Sequence, residues 1–297
     1  INNSYYINFK DFIYNKNDLN VDFTYQKNSL DINIFSGILN LTPFLSFSKK
    51  NKSNNTIISI NAELNNLIIF DNILLGDTKL SSDNIYNNLS IQSIYNSDET
   101  ILFNLNRIND NQFLSYSFNA SNAGNFFELF NYNTEIKNGI LSSQGFIGNL
   151  DNDNNLIGTL SIDNFKIMKA PLIAELLLAA SFTGLIDVFN NEGIPFDQFD
   201  AQFTMKDNII NVIKSRAYGF SLGLTGNGII NNNDKSLIIS GSIVPAYKLN
   251  TIFNDIPVIG DLLSGKEDEG LFAINYSAKG KWSEPDIIVN PLSILTP

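Results

Sequence analysis

Phe199-Asp200-Ala201-Gln202-Phe203-Thr204-Met205-Lys206 alternates apolar and polar side chains without a break. A period of two belongs to a β-strand with one dry face and one wet face. The same period recurs along the chain. Val21, Phe23 and Tyr25 alternate with Asp22, Thr24 and Gln26, and Ile58, Ile60, Ala62 and Leu64 with Ser59, Asn61 and Glu63. Leu114, Tyr116 and Phe118 alternate with Ser115, Ser117 and Asn119, and Phe272, Ile274, Tyr276 and Ala278 with Asn275, Ser277 and Lys279. Turn-forming clusters separate such runs at Asn51–Asn55, Asp151–Asn155, Asn231–Asp234 and Lys266–Gly270. Many short strands at roughly even spacing predict a mainly β fold. The expected architecture is an antiparallel sheet curled into an open groove or a flattened barrel.

Three segments break the period and predict two or three helices. Ala123, Phe126, Phe127 and Phe130 fall at helical spacing, with Asn122 as the N-cap. Leu249, Ile252, Phe253 and Ile256 repeat that spacing before Pro257. Pro171 to Phe189 is apolar nearly all round, and Pro171 suits a first helical turn. Glu175 and Asp187 leave only about 11 uncharged residues between them, short of the roughly 20 that span a bilayer. A helix buried on the sheet, or lying at an interface, is the expectation.

Composition excludes several chemistries. The 297 residues contain no cysteine and no histidine. Disulfides, thiolate catalysis, zinc–thiolate sites and the commonest general base are therefore absent. A net charge of -11 opposes nucleic acid and anionic membrane surfaces. Hydrophobic residues make up 43% of the chain, enough for a large buried core.

The motifs suggestive of chemistry read as ordinary structure. Asp151-Asn152-Asp153-Asn154-Asn155 starts like a calcium loop, but Leu156 stands where glycine is required and Ile162 where glutamate is required. Gly223, Gly226 and Gly228 lack the dinucleotide-binding order and fit close packing within a strand. Ser46-Phe47-Ser48-Lys49 and Ser82-Asp83-Asn84 match two signatures of penicillin-binding enzymes, whose third, K-T-G, is missing. Lys266-Glu267-Asp268-Glu269 reads as a solvated loop, and the lone Trp282 as a packing residue. No motif places an acid–base pair, so the chain is expected not to be an enzyme, to carry no metal or other cofactor, and to bind no nucleic acid.

From about Ser121 the order of short motifs resembles the C-terminal domain of the AsmA-like family. The resemblance rests on Ala123-Gly124 before Asn138-Gly139-Ile140-Leu141, on Asp163-Asn164-Phe165-Lys166 before Lys169-Ala170-Pro171, and on Gly193-Ile194-Pro195-Phe196. It continues through Val244-Pro245-Ala246-Tyr247-Lys248-Leu249-Asn250, Ile256-Pro257-Val258-Ile259-Gly260 and Glu269-Gly270-Leu271-Phe272 to Val289-Asn290-Pro291-Leu292-Ser293. Asn138 stands where the family has glycine, and asparagine tolerates the positive φ of that turn. The resemblance implies two parts, a β-groove repeat segment over 1–120 and an AsmA-like C-terminal domain over 121–297.

It also implies a role in Gram-negative outer-membrane biogenesis: passive carriage of phospholipid between inner and outer membrane through a hydrophobic β-groove. The implied location is the periplasm, anchored to the inner membrane through an N-terminal segment that precedes Ile1. The implied partners are phospholipid and the two membranes or their proteins. Phe203, Met205, Leu222, Leu224, Phe272, Ile274 and Tyr276 are expected to line the groove, with Leu249, Ile252, Phe253 and Ile256 on a helix near its end. The alternative role is a periplasmic scaffold that assists outer-membrane protein or lipopolysaccharide assembly.

Overall fold

The alternating segments pair with their neighbours in sequence. A computed structural model describes residues 4–14, 16–42, 56–69, 73–85, 87–108, 113–130, 135–149, 154–168, 171–179, 192–245 and 274–290. Its strands are β1 (Ser4–Tyr14), β2 (Asn17–Gln26), β3 (Ser29–Asn40), β4 (Ile57–Ile69), β5 (Ile73–Ser82), β6 (Asn88–Tyr95), β7 (Glu99–Arg107) and β8 (Leu114–Ala120). They continue as β9 (Ile136–Asn149), β10 (Asn154–Ile167), β11 (Ile194–Lys206), β12 (Ile209–Tyr218), β13 (Leu222–Asn231), β14 (Ser236–Pro245), β15 (Ile274–Lys281) and β16 (Glu284–Asn290). Among the described residues two helices interrupt them, α1 (Ala123–Leu129) and α2 (Pro171–Ala179). The strands form one 16-stranded sheet in sequential order, with β1 and β16 at its ends. The fold is thus mainly β and antiparallel, open rather than closed into a barrel. β3 and β4 depart from that and run parallel, Ser29 opposite Ile57 and Asn40 opposite Ile68.

The chain divides into two compact units, Ile1–Asn122 with Leu129–Asn131 and Ser142–Asn149, and Ala123–Glu128 with Tyr132–Leu141 and Leu150–Pro297. In the first unit, register carries an apolar row from Val21 to Ile34, Ala62, Leu80, Ile91, Phe103 and Phe118. One residue away on the other face runs a polar row, Asp22, Asn33, Asn61, Ser81, Ser90, Asn104 and Ser117. Period two in each strand, kept in register, makes the sheet two-faced. Two hydroxyls sit on the dry side, Thr78 and Ser93, and they hydrogen-bond each other at 2.8 Å, which offsets their burial. β1 has its tyrosines and Ile13 well exposed.

In the second unit the sequence predicts a helix from Pro171, and α2 forms there; residues 180–191 lie outside the described residues. Ile173, Leu176 and Leu177 are buried while Glu175 and Leu178 face water. α2 leaves the end of β10 yet packs against β16. Among the described residues no helix is long and apolar enough to cross a membrane.

Candidate functional site

The site is the face of β10–β16 that the alternation makes apolar. Phe199 on β11 stands opposite Ala217 on β12, which stands opposite Leu224 on β13, then Ile243 on β14 and Ile274 on β15. A second row runs Phe203, Val212, Gly228, Ile239, Ala278 and Ile287. A third runs Met205, Ile210, Ile230 and Leu237. Paired residues project from the same side of a sheet, so these rows form one surface. A bulge on β12 between Val212 and Ser215 keeps both ends of that strand in phase.

Burial varies along this surface. Towards the Ile194 end of the strands Leu222 and Ile243 are 0% exposed, and Ile194, Phe196 and Ile274 are buried with them. Phe165 stacks on Phe196 with ring centres 5.4 Å apart. At the other end Phe203, Met205, Ile210, Val212, Ile230 and Ile239 are half-buried, while Leu237 and Ala278 in the same rows are buried. Thus Phe203, Met205, Leu222, Leu224, Ile274 and Tyr276 share one face, but they do not share one environment. Leu222, Ile274 and Tyr276 are packed as core, while Phe203, Met205 and Leu224 keep access to solvent. Phe272 and the Leu249, Ile252, Phe253 and Ile256 helix lie outside the described residues.

Tyr276 has a structural task that alternation does not reveal. It lies across a row of small residues, Ala201, Ser215, Gly226 and Gly241. Its hydroxyl donates to the Thr225 carbonyl at 2.8 Å, and Thr225 Oγ1 in turn accepts the Ser242 amide at 3.0 Å. A Cβ on Gly241 would stand 2.9 Å from that hydroxyl, so glycine is what lets the ring cross β14. Burial pushes the Tyr276 phenol up to about 12. A raised folded-state pKa favours the protonated phenol. Its contribution is complete below the unfolded value near 10 and fades as pH climbs through about 12. Over that window the protein is expected to lose up to about 3 kcal/mol from this group. Burial also raises Tyr95 and Tyr116, so the measurement is a difference. Urea melts of the parent and Tyr276→Phe from pH 9 to 12 isolate it. The variant should be roughly 1 kcal/mol weaker near neutrality and should lose less above pH 10.

The outer face of this unit is polar across its middle. Ser161, Asp200, Arg216, Thr225, Ser242 and Asn275 stand in one row. Arg216 pairs with Asp200 at 3.0 Å, and Ser242 donates to Asn275 at 2.7 Å. Among the described residues no group of three or more carboxylates is placed to hold a metal ion. Trp282 donates its indole N–H to the Ser236 carbonyl at 3.1 Å and stitches β16's turn to β14. Compared with protein-family models, curated proteins and solved structures, the chain matches none.

Proposed function

We propose that this chain carries the acyl chains of phospholipid along its apolar β-face, as the AsmA-like resemblance implies, and does so without catalysis. The observation that supports the reading is a cluster of half-buried apolar side chains, Phe203, Met205, Ile210 and Ile230, on one continuous apolar face. A pure core has no reason to leave Phe203, Met205, Ile210 and Ile230 partly wet together. A two-tailed lipid in water exposes about 30 CH₂ groups, a cost on the order of 25 kcal/mol, and an apolar face that covers them offsets much of it. Carriage between the two membranes of a cell envelope, from an anchored periplasmic position, follows the same resemblance.

The test sets the two ends against each other. Phe203→Asp places a carboxylate where water reaches it, so the fold should persist while lipid cross-linking is lost. Leu222→Asp places the same charge at a fully dry position and should unfold the unit. Unfolding by Phe203→Asp as well would make the half-buried end ordinary core. Unchanged cross-linking in a folded variant would exclude a path over these residues. The alternative that the same resemblance implies is a scaffold role. Capture of an assembly factor without any bound lipid would favour it.

A further inference from the structure

The polar face of the first unit holds a hollow of about 490 Å³, within the range of small-ligand sites. It lies over the middle of β3, β4, β5 and β6. Asn33, Asn61, Ser81 and Gln92 line it with amides and a hydroxyl, and Glu63 and Lys79 stand opposite each other on β4 and β5. An aromatic ring stands among them. Asn20 pairs with Ser36 and Val21 with Ile34, so Phe35 is an extra residue that bulges out of the β2–β3 ladder. It is 59% exposed and lines the hollow. A bulge re-aims one side chain of a strand, and here it sets an apolar ring beside polar side chains.

Hydrogen bonding separates this hollow from the face around it. On one side Asp22 accepts from Tyr6 and Asn8, and Asp31 accepts from Ser29 and Ser59. On the other Ser90 donates to Asn104, which donates to Ser117. Between them the side chains of Asn33, Asn61, Glu63, Lys79, Ser81 and Gln92 bond to none of the described residues. Their donors and acceptors stay open to a ligand. Charge restricts what that ligand is. Within the lining Glu63 offsets Lys79, and Asp22, Asp31, Asp77 and Asp83 in flanking positions add only negative charge. That opposes phosphates and carboxylates. A polyol needs no charge. Its hydroxyls donate to carboxylate and amide oxygens and accept from amide N–H groups, and the apolar side of its ring packs on an aromatic face.

We propose that this hollow binds a neutral oligosaccharide, with one sugar ring stacked on Phe35 and its hydroxyls bonded to Asn33, Asn61, Gln92 and Glu63. The hollow is on the polar face, so its test is independent of lipid carriage. The full chain is titrated with cellotriose, maltotriose, mannotriose and chitotriose at millimolar concentration, and binding is read by saturation-transfer NMR. At least one of these sugars should bind, and added salt should leave its affinity unchanged, because the ligand brings no charge to be screened. Phe35→Ala should weaken binding by on the order of tenfold, and Phe35→Tyr, which keeps the ring, should largely preserve it. Asn61→Ala with Gln92→Ala should weaken it several-fold. Phe220→Ala removes a ring that is 79% exposed on the second unit and should change nothing. Circular dichroism checks that the variants keep the fold. No binding of any of these sugars, or binding indifferent to Phe35 and to the two amides, overturns the assignment. Preferential binding of trilysine, lost at raised salt, would mark a cation site built from Glu63 and the flanking carboxylates and overturns it as well.

Discussion

Leu177→Asp unfolds the second unit, while Leu178→Asp one residue along leaves it as stable as the parent. Leu177 is 0% exposed on the inward side of α2, beside Leu176 and Ile173. Leu178 is 55% exposed on the same helix. An aspartate at 177 has no partner to ionise against and no water to solvate it. The expected loss is on the order of 3–5 kcal/mol or more, a large share of a domain's whole stability. The helix propensity change is the same at both positions, so the contrast isolates burial. Thermal melts followed by far-ultraviolet circular dichroism give the answer. Equal stability of the two variants would mean that α2 is not held against β16.

Gly241→Ala is the second large effect. A Cβ at 241 would lie 1.9 Å from the Thr225 carbonyl oxygen. That contact is with backbone, so no side-chain rotation relieves it. Either β13 and β14 separate or Tyr276 gives up its bond to the same carbonyl. The expected loss is roughly 3 kcal/mol, near the upper end of overpacking. In a unit of this size that lowers the melting temperature by about 10 °C. Gly76→Ala on β5 is the comparison. Its Cβ would come no closer than 3.7 Å, to the Ile94 carbonyl, and the strand should tolerate it. If Gly241→Ala melts like the parent, the strands are looser at that crossing than their register implies.

Strands were legible in the sequence because a wet-and-dry face writes period two into each of them. Phe199–Lys206 falls within β11, Ile58–Leu64 within β4 and Leu114–Asn119 within β8. The turn at Asn231–Asp234 joins β13 to β14 for the same local reason. Asn138 takes φ 59° and Gly139 φ 88°, the left-handed conformation that asparagine tolerates there. The spacing of Ala123, Phe126 and Phe127 gives α1. Asn122 beside it spends its side-chain amide on Glu99 at 2.6 Å.

What depends on distant partners was not legible. Nothing near Tyr276 says that its ring crosses Gly241 to reach Thr225, 51 residues earlier. Alternation alone therefore grouped Tyr276 with Phe203, although one is packed core and the other half-wet. The direction of β4 was hidden as well, because period two is identical in parallel and antiparallel strands. Where α2 docks was hidden too, because its contact is with β16, far along the chain.

The parallel β3–β4 pair sets the order in which the first unit can assemble. A hairpin closes in about 1–10 μs because its strands meet as soon as the turn forms. β1 to β3 is one such run of hairpins, and β4 to β8 is another. Between them the chain must travel back along the full length of β3, roughly 40 Å, before Ile57 can meet Ser29. That closure comes after both meanders exist and carries its own entropy. The seam between β3 and β4 is thus the junction of the first unit that closes the longest loop, and until it closes the unit is two meanders with bare edges.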